Sequence, residues 1–105
     1  MMSVDASMNV FSKDKRTYTL KDLIYLMERL RDPKTGCPWD IKQDYLSITS
    51  STIEEAYEVV DAIERQDFDH IKEELGDYLF QVIFYAQLAK EEKRFDFNEV
   101  IDTLT

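Results

Sequence analysis

Turn-forming residues are nearly absent from this chain, which has two glycines and two prolines in 105 residues. All-β architectures need turn residues throughout, so this scarcity argues against them and favours helices. Cysteine is almost missing too. Cys37 stands alone, so neither an intramolecular disulfide nor a thiolate zinc site can form, which fits a reducing, cytoplasmic setting. With no basic partner evident beside it, Cys37 reads as packing rather than as a reactive thiol. No segment is apolar for long enough to span a bilayer, and residues 1–17 lack the apolar run of a signal peptide. They read as a flexible leader, with the folded domain in residues 18–105.

What the chain does have is charge. It carries 22 acidic and 13 basic residues for a net charge of −9, and 44% of its residues are hydrophobic. That balance suits one small globular domain. An acidic surface argues against nucleic acid or an anionic membrane as partner, and leaves cations, metal ions or basic proteins. The plainer reading of the acidity is solubility.

Apolar periodicity places the helices. Leu20, Leu23, Ile24, Met27 and Leu30 give one face of a helix over about 20–30, with Thr19 and Asp22 as a capping box. RDPKTGCPW, residues 31–39, is a loop rich in breakers. Asp40 then reads as a cap with Gln43 as its partner, opening a short turn of helix to about Leu46. The next helix starts at Ser51 or Thr52, or runs straight through from Ser47, and ends near Arg65–Gln66. Its expected buried stripe is Ile53, Ala56, Tyr57, Val60 and Ile63. Asp67 or Asp69 caps a long helix over about 70–92, and Asp96 caps a last one with Glu99.

The long helix poses a problem. IKEELGDYLFQVIFYAQLA, residues 71–89, is apolar on nearly every side after Tyr78, yet it opens with Glu73, Glu74 and Asp77. At about 100° per residue, Glu74, Asp77, Gln81 and Leu88 share one strip, beside the stripe of Ile71, Leu75, Tyr78, Val82 and Ala89. An ionised carboxylate left unpaired at such an interface costs several kcal/mol, and close carboxylates raise one another's pKa. A cation between them resolves the conflict. Glu55 and Glu58 on the preceding helix, and Glu74 and Asp77 on this one, are each one turn apart. Two antiparallel helices would bring all four together. Such an all-oxygen set suits Mg²⁺, with Mn²⁺ as a common substitute. A di-iron bundle needs Glu-x-x-His on two helices, and the single His70 reads instead as an exposed first-turn residue. The plainer reading of EEAYE, residues 54–58, is a solvated helix face.

These residues resemble a known family. Glu54-Glu55-Ala56-Tyr57-Glu58, followed after fifteen residues by Glu74-Leu75-Gly76-Asp77, is similar to the EExxE…ExxD signature of MazG-type nucleoside triphosphate pyrophosphohydrolases. LRDPKTGCPWD, residues 30–40, resembles the loop before it, and residues 73–101 resemble the third helix and the turn that follows. The resemblance covers about residues 20–105. It implies an all-α helical bundle completed by dimerisation, as a homodimer or homotetramer. It also implies Mg²⁺-dependent hydrolysis of nucleoside triphosphates to monophosphate and pyrophosphate, serving to clear noncanonical nucleotides. Carried over residue by residue, the metal ligands are Glu55, Glu58, Glu74 and Asp77. Glu54 is the catalytic candidate, either orienting a water or binding a second ion.

Substrate contacts are sparser. Lys72 is the nearest cation for phosphate, though a solvated first-turn lysine is the plainer reading. Trp39 either stacks on a base or plugs its loop onto the bundle. The family pattern continues past the last helix into a basic stretch that helps hold phosphates, whereas this chain stops at Thr105. The metal site is therefore expected to be complete, the phosphate grip incomplete and the last helix truncated. Two rivals follow: a weak or inactive domain serving oligomerisation or partner binding, and a plain acidic helical adaptor without metal.

Overall fold

The computed structural model describes residues 17–105. Residues 1–16, most of the expected leader, lie outside the described residues. The remainder is all-helical, with no strand among the described residues. Helix α1 spans Leu20–Leu30, α2 Pro38–Ile41, α3 Thr49–Glu64, α4 Phe68–Glu91 and α5 Phe97–Leu104, with a 3-10 turn at Leu46–Ile48 leading into α3. No helix among the described residues is long and apolar enough to cross a membrane.

Helix α1 has the expected bounds because its start is locally encoded. The Thr19 hydroxyl accepts from the Asp22 N–H at 3.3 Å, and the Asp22 carboxylate accepts from the Thr19 N–H at 2.9 Å. The following loop departs from expectation. Pro38 sits at the start of α2, and Asp40 lies inside that helix, 2% exposed, instead of capping it. The Gln43 amide donates to the Trp39 carbonyl at 3.0 Å. Gly36 is required where it stands. A Cβ there would come within 2.3 Å of the Leu30 carbonyl oxygen and 2.6 Å of that of Asp32, because the loop closes tightly through a bond from the Cys37 N–H to the Leu30 carbonyl.

Arg31 holds this loop together. Its Nη1 donates to the carbonyls of Asp40, Ile41 and Gln43 at 2.6, 3.0 and 3.0 Å. Its other nitrogens grip Glu91 near the end of α4, at 3.0 and 2.6 Å, and its guanidinium lies 5.7 Å from the centre of the Phe84 ring. A flat, forked cation can make all these contacts at once, which a lysine cannot.

Helices α3 and α4 form a hairpin. Its turn is a Schellman motif: the Asp67 N–H bonds the Ala62 carbonyl at 3.1 Å and the Gln66 N–H bonds that of Ile63 at 3.0 Å, with Gln66 at φ 56°. Asp67, not Asp69, caps α4 by accepting from the His70 N–H at 3.2 Å. Asp96 caps α5 by accepting from the Glu99 N–H at 3.0 Å.

Helix α4 packs against α1, α3 and α5. The main apolar core joins Met27 and Leu30 of α1 with Ile48 and with Phe80, Ile83, Phe84 and Leu88 of α4. The α3 side corrects the periodicity reading. Ile53 and Tyr57 are 72% and 74% exposed, and Val60 and Ile63 also face outward. The seam that meets α4 instead runs through Ile48, Thr52, Glu55, Val59 and Ala62, buried or half-buried at alternating three- and four-residue spacing. Leu75, Tyr78 and Leu79 of α4 are exposed as well. The reason is polar complementarity. The Thr52 hydroxyl lies 2.7 Å from both Gln81 Oε1 and the Tyr85 hydroxyl, so the polar strip of α4 meets the less apolar side of α3.

Candidate metal centre

The α3–α4 seam carries three carboxylates into one place. Glu55 and Glu58 come from successive turns of α3, and Glu74 from the second turn of α4. Each offers one carboxylate oxygen, and the three lie within 4.8 Å of one another. Glu55 is 0% exposed and Glu74 is 7% exposed, while Glu58 is half-buried. Glu74 Oε2 is buried and receives no hydrogen bond among the described residues, whereas Oε1 lies 3.2 Å from His70 Nε2.

The electrostatics follow from this crowding. Burial, then the neighbouring Glu58 and Glu55 carboxylates, push the Glu74 carboxyl up to about 7 from an ordinary 4.5. Asp77 lies one turn further along α4, half-buried and outside the three-carboxylate group. Burial, then Glu55 and Glu58, push its carboxyl upward too. Such a cluster has two routes to neutrality: it can bind protons, as Glu74 does near neutral pH, or it can bind a divalent cation. Oxygen donors alone, with a buried lone pair facing no donor, fit a hard ion such as Mg²⁺ or Mn²⁺.

The other candidate residues stand apart from the cluster. Glu54 is exposed on α3, Lys72 is exposed in the second turn of α4, and Trp39 on α2 is exposed. Sequence reasoning passes over His70 as a solvated residue. The structure places it half-buried against Glu74, and the four-residue spacing between the two is the available signal. Arg31 gives no such signal, because its partners are backbone carbonyls and Glu91, which is far away in sequence.

Known proteins are similar to this chain over the same helices. The model of the MazG nucleotide pyrophosphohydrolase domain matches residues 43–105, which include all of α3 and α4. A protein of Escherichia coli (strain K12) named nucleoside triphosphate pyrophosphohydrolase is 60% identical over 78 residues, covering 74% of this chain and 30% of that protein. A Thermotoga maritima protein named nucleoside triphosphate pyrophosphohydrolase/pyrophosphatase MazG is 48% identical over 84 residues, covering 80% and 32%. A Mycobacterium tuberculosis protein named nucleoside triphosphate pyrophosphohydrolase is 37% identical over 92 residues, covering 86% and 27%. The chain thus spans about a third of the length of these relatives. With the family match running through both helices that build the carboxylate seam, the chain belongs to the MazG nucleotide pyrophosphohydrolase domain family.

Proposed function

We propose that this domain hydrolyses nucleoside triphosphates to monophosphate and pyrophosphate with Mg²⁺, and with Mn²⁺ as a substitute. The single observation that carries the reading is the meeting of Glu55, Glu58 and Glu74 inside the α3–α4 seam. Relatives that carry the pyrophosphohydrolase name support it. Glu55, Glu58 and Glu74 would hold the ion, with Asp77 as the fourth donor beside them. When bound, the ion polarises a phosphate oxygen and offsets the charge that develops on it.

The chain's own residues do the rest. The seam fixes the carboxylates on two rigid helices, with Glu55 and Glu74 buried. A spare carboxylate, from Glu54 or from the cluster, orients the attacking water and takes its proton. A bond forms from water oxygen to phosphorus, the bridging bond between the α and β phosphates breaks, and pyrophosphate leaves. Four carboxylates against one divalent ion leave a charge of about −2, and a triphosphate adds roughly four more negative charges. Further cations are therefore needed, from more Mg²⁺, from Lys72 or from a second subunit. Trp39, exposed on α2, would stack on a base.

The domain also acts as a homodimer or homotetramer. The outward apolar row of Ile53, Tyr57 and Val60 with Leu75, Tyr78 and Leu79 is what a helical bundle shared between copies would cover. A cytoplasmic setting and a role in clearing noncanonical nucleotides complete the reading.

The test is release of pyrophosphate from a panel of nucleoside triphosphates with Mg²⁺. Release by the wild-type chain, lost in Glu74→Gln, is the expected result. Metal binding and self-association without any release would favour a non-catalytic domain instead. A melting temperature unmoved by Mg²⁺ or Mn²⁺ would leave only an acidic helical adaptor.

A further inference from the structure

We propose that His70 is a positioning residue of the carboxylate cluster. Its Nε2 engages Glu74 Oε1 in a polar contact and so leaves Oε2 as the oxygen offered to a divalent ion. The proposal rests on the metal reading above and concerns a residue outside the family signature.

The geometry starts at the hairpin turn. Arg65, the last residue before the left-handed Gln66, is held by Asp61 at 3.0 Å and by Asp67 at 3.3 Å. Its Nη2 lies 3.1 Å from His70 Nδ1. A guanidinium can only donate, so Nδ1 accepts and the ring proton sits on Nε2. Asp67 Oδ2, 3.7 Å from Nδ1, is beyond hydrogen-bond reach. On the other side of the ring, Nε2 lies 3.2 Å from Glu74 Oε1, one helical turn further along α4. The protonated Nε2 thus faces Oε1 within polar-contact distance. Glu74 Oε2 is buried and takes no hydrogen bond among the described residues, and one oxygen of Glu74 lies within 4.8 Å of oxygens of Glu55 and Glu58.

The order of contacts is thus Asp61, Arg65, His70, Glu74, running from the exposed turn to the buried seam. Groups that orient a metal ligand from behind typically contribute tenfold to a hundredfold in affinity. The His70 side chain is 43% exposed, so water weakens its contact with Glu74 and the low end of that range applies.

His70 is the only histidine in the sequence, which makes two measurements direct. In the metal-free chain, held well above the histidine titration range, a long-range ¹H–¹⁵N spectrum should show the Nε2–H tautomer. An Nδ1–H ring overturns the proposal. The second measurement is Mn²⁺ affinity by calorimetry. His70→Ala should bind about tenfold more weakly than wild type. His70→Gln, whose amide nitrogen occupies the place of Nε2, should recover most of the loss, and His70→Asn, whose amide falls short of it, should not. Equal losses in all three variants that track their metal-free melting temperatures would mean a structural role only and overturn the proposal. Wild-type binding with His70→Ala unchanged overturns it as well, and leaves the metal reading standing. Failure of the wild-type chain to bind Mn²⁺ removes the metal reading and this proposal with it.

Discussion

The two sides of α4 follow opposite rules. Toward α1 it buries oil: Phe84 and Ile83 are each 2% exposed and pack with Met27 and Leu30. Toward α3 it buries Glu74 and Gln81 against Glu55 and Thr52, while Ile53 and Tyr57 of α3 face outward. The first side is complete within one chain. The second concentrates negative charge inside and leaves apolar area outside, an arrangement that gains stability only from something added: a proton, a cation or a covering surface. The main apolar core thus lies on the α1–α4 side, and the buried carboxylates on the α3–α4 side.

The largest effect should come from the apolar side. Phe84→Ala removes a buried ring and is expected to cost about 3–5 kcal/mol by denaturant unfolding. Glu74→Gln, an equally buried change on the other side, should do the reverse and raise the metal-free melting temperature, because it deletes one of three crowded charges. A clear loss of metal-free stability in Glu74→Gln would break the contrast.

The second effect is on pH. The Glu74 carboxyl sits at about 7 in the fold against an ordinary value of 4.5. A carboxyl raised on folding adds stability that is complete below its unfolded value and is lost as pH rises through its folded value. The metal-free melting temperature should therefore fall by about 5 °C or more between about pH 5 and pH 7.5. Asp77 is raised as well and adds to the fall. Asp32 and Asp67 are lowered by the backbone N–H groups that donate to them, so their contributions change only in more acidic solution. Saturating Mn²⁺ should flatten or reverse the slope, and Glu74→Gln should remove most of it. A metal-free profile that rises across this interval would show that the seam is not strained by charge.

The smallest effect on folding should come from the outward row. Ile53→Lys with Tyr57→Lys alters exposed positions, so the unfolding free energy of a single chain should move by only about 0.5 kcal/mol. Sedimentation should nevertheless show a wild-type dimer or tetramer become monomeric. A wild-type chain that sediments as a monomer would mean that the row is covered by something other than a second copy.

How much of this was legible depended on the range of each interaction. The start of α1 could be read because Thr19 and Asp22 bond each other across one turn, and Asp96 with Glu99 is the same case. Helical spacing on two arms of a hairpin led to the expectation that Glu55, Glu58, Glu74 and Asp77 meet; the first three do, and Asp77 stays outside the group. The facing of α3 could not be read from periodicity, because that helix has two usable sides. The choice between them was made by Gln81 and Tyr85, residues distant in sequence that bond Thr52. Asp40 misled for a similar reason: Pro38 starts α2 before it, and Arg31 reaches in to take its carbonyl.

The Schellman turn between α3 and α4 has a kinetic consequence. Every acid of the cluster lies on one of the two arms that it joins, so the ligands meet by closing a short loop, which costs little chain entropy. Assembly of the site does not need distant parts of the polypeptide to meet, and such local contacts favour fast folding. The hairpin thus carries the whole cluster, with the rest of the domain as its buttress.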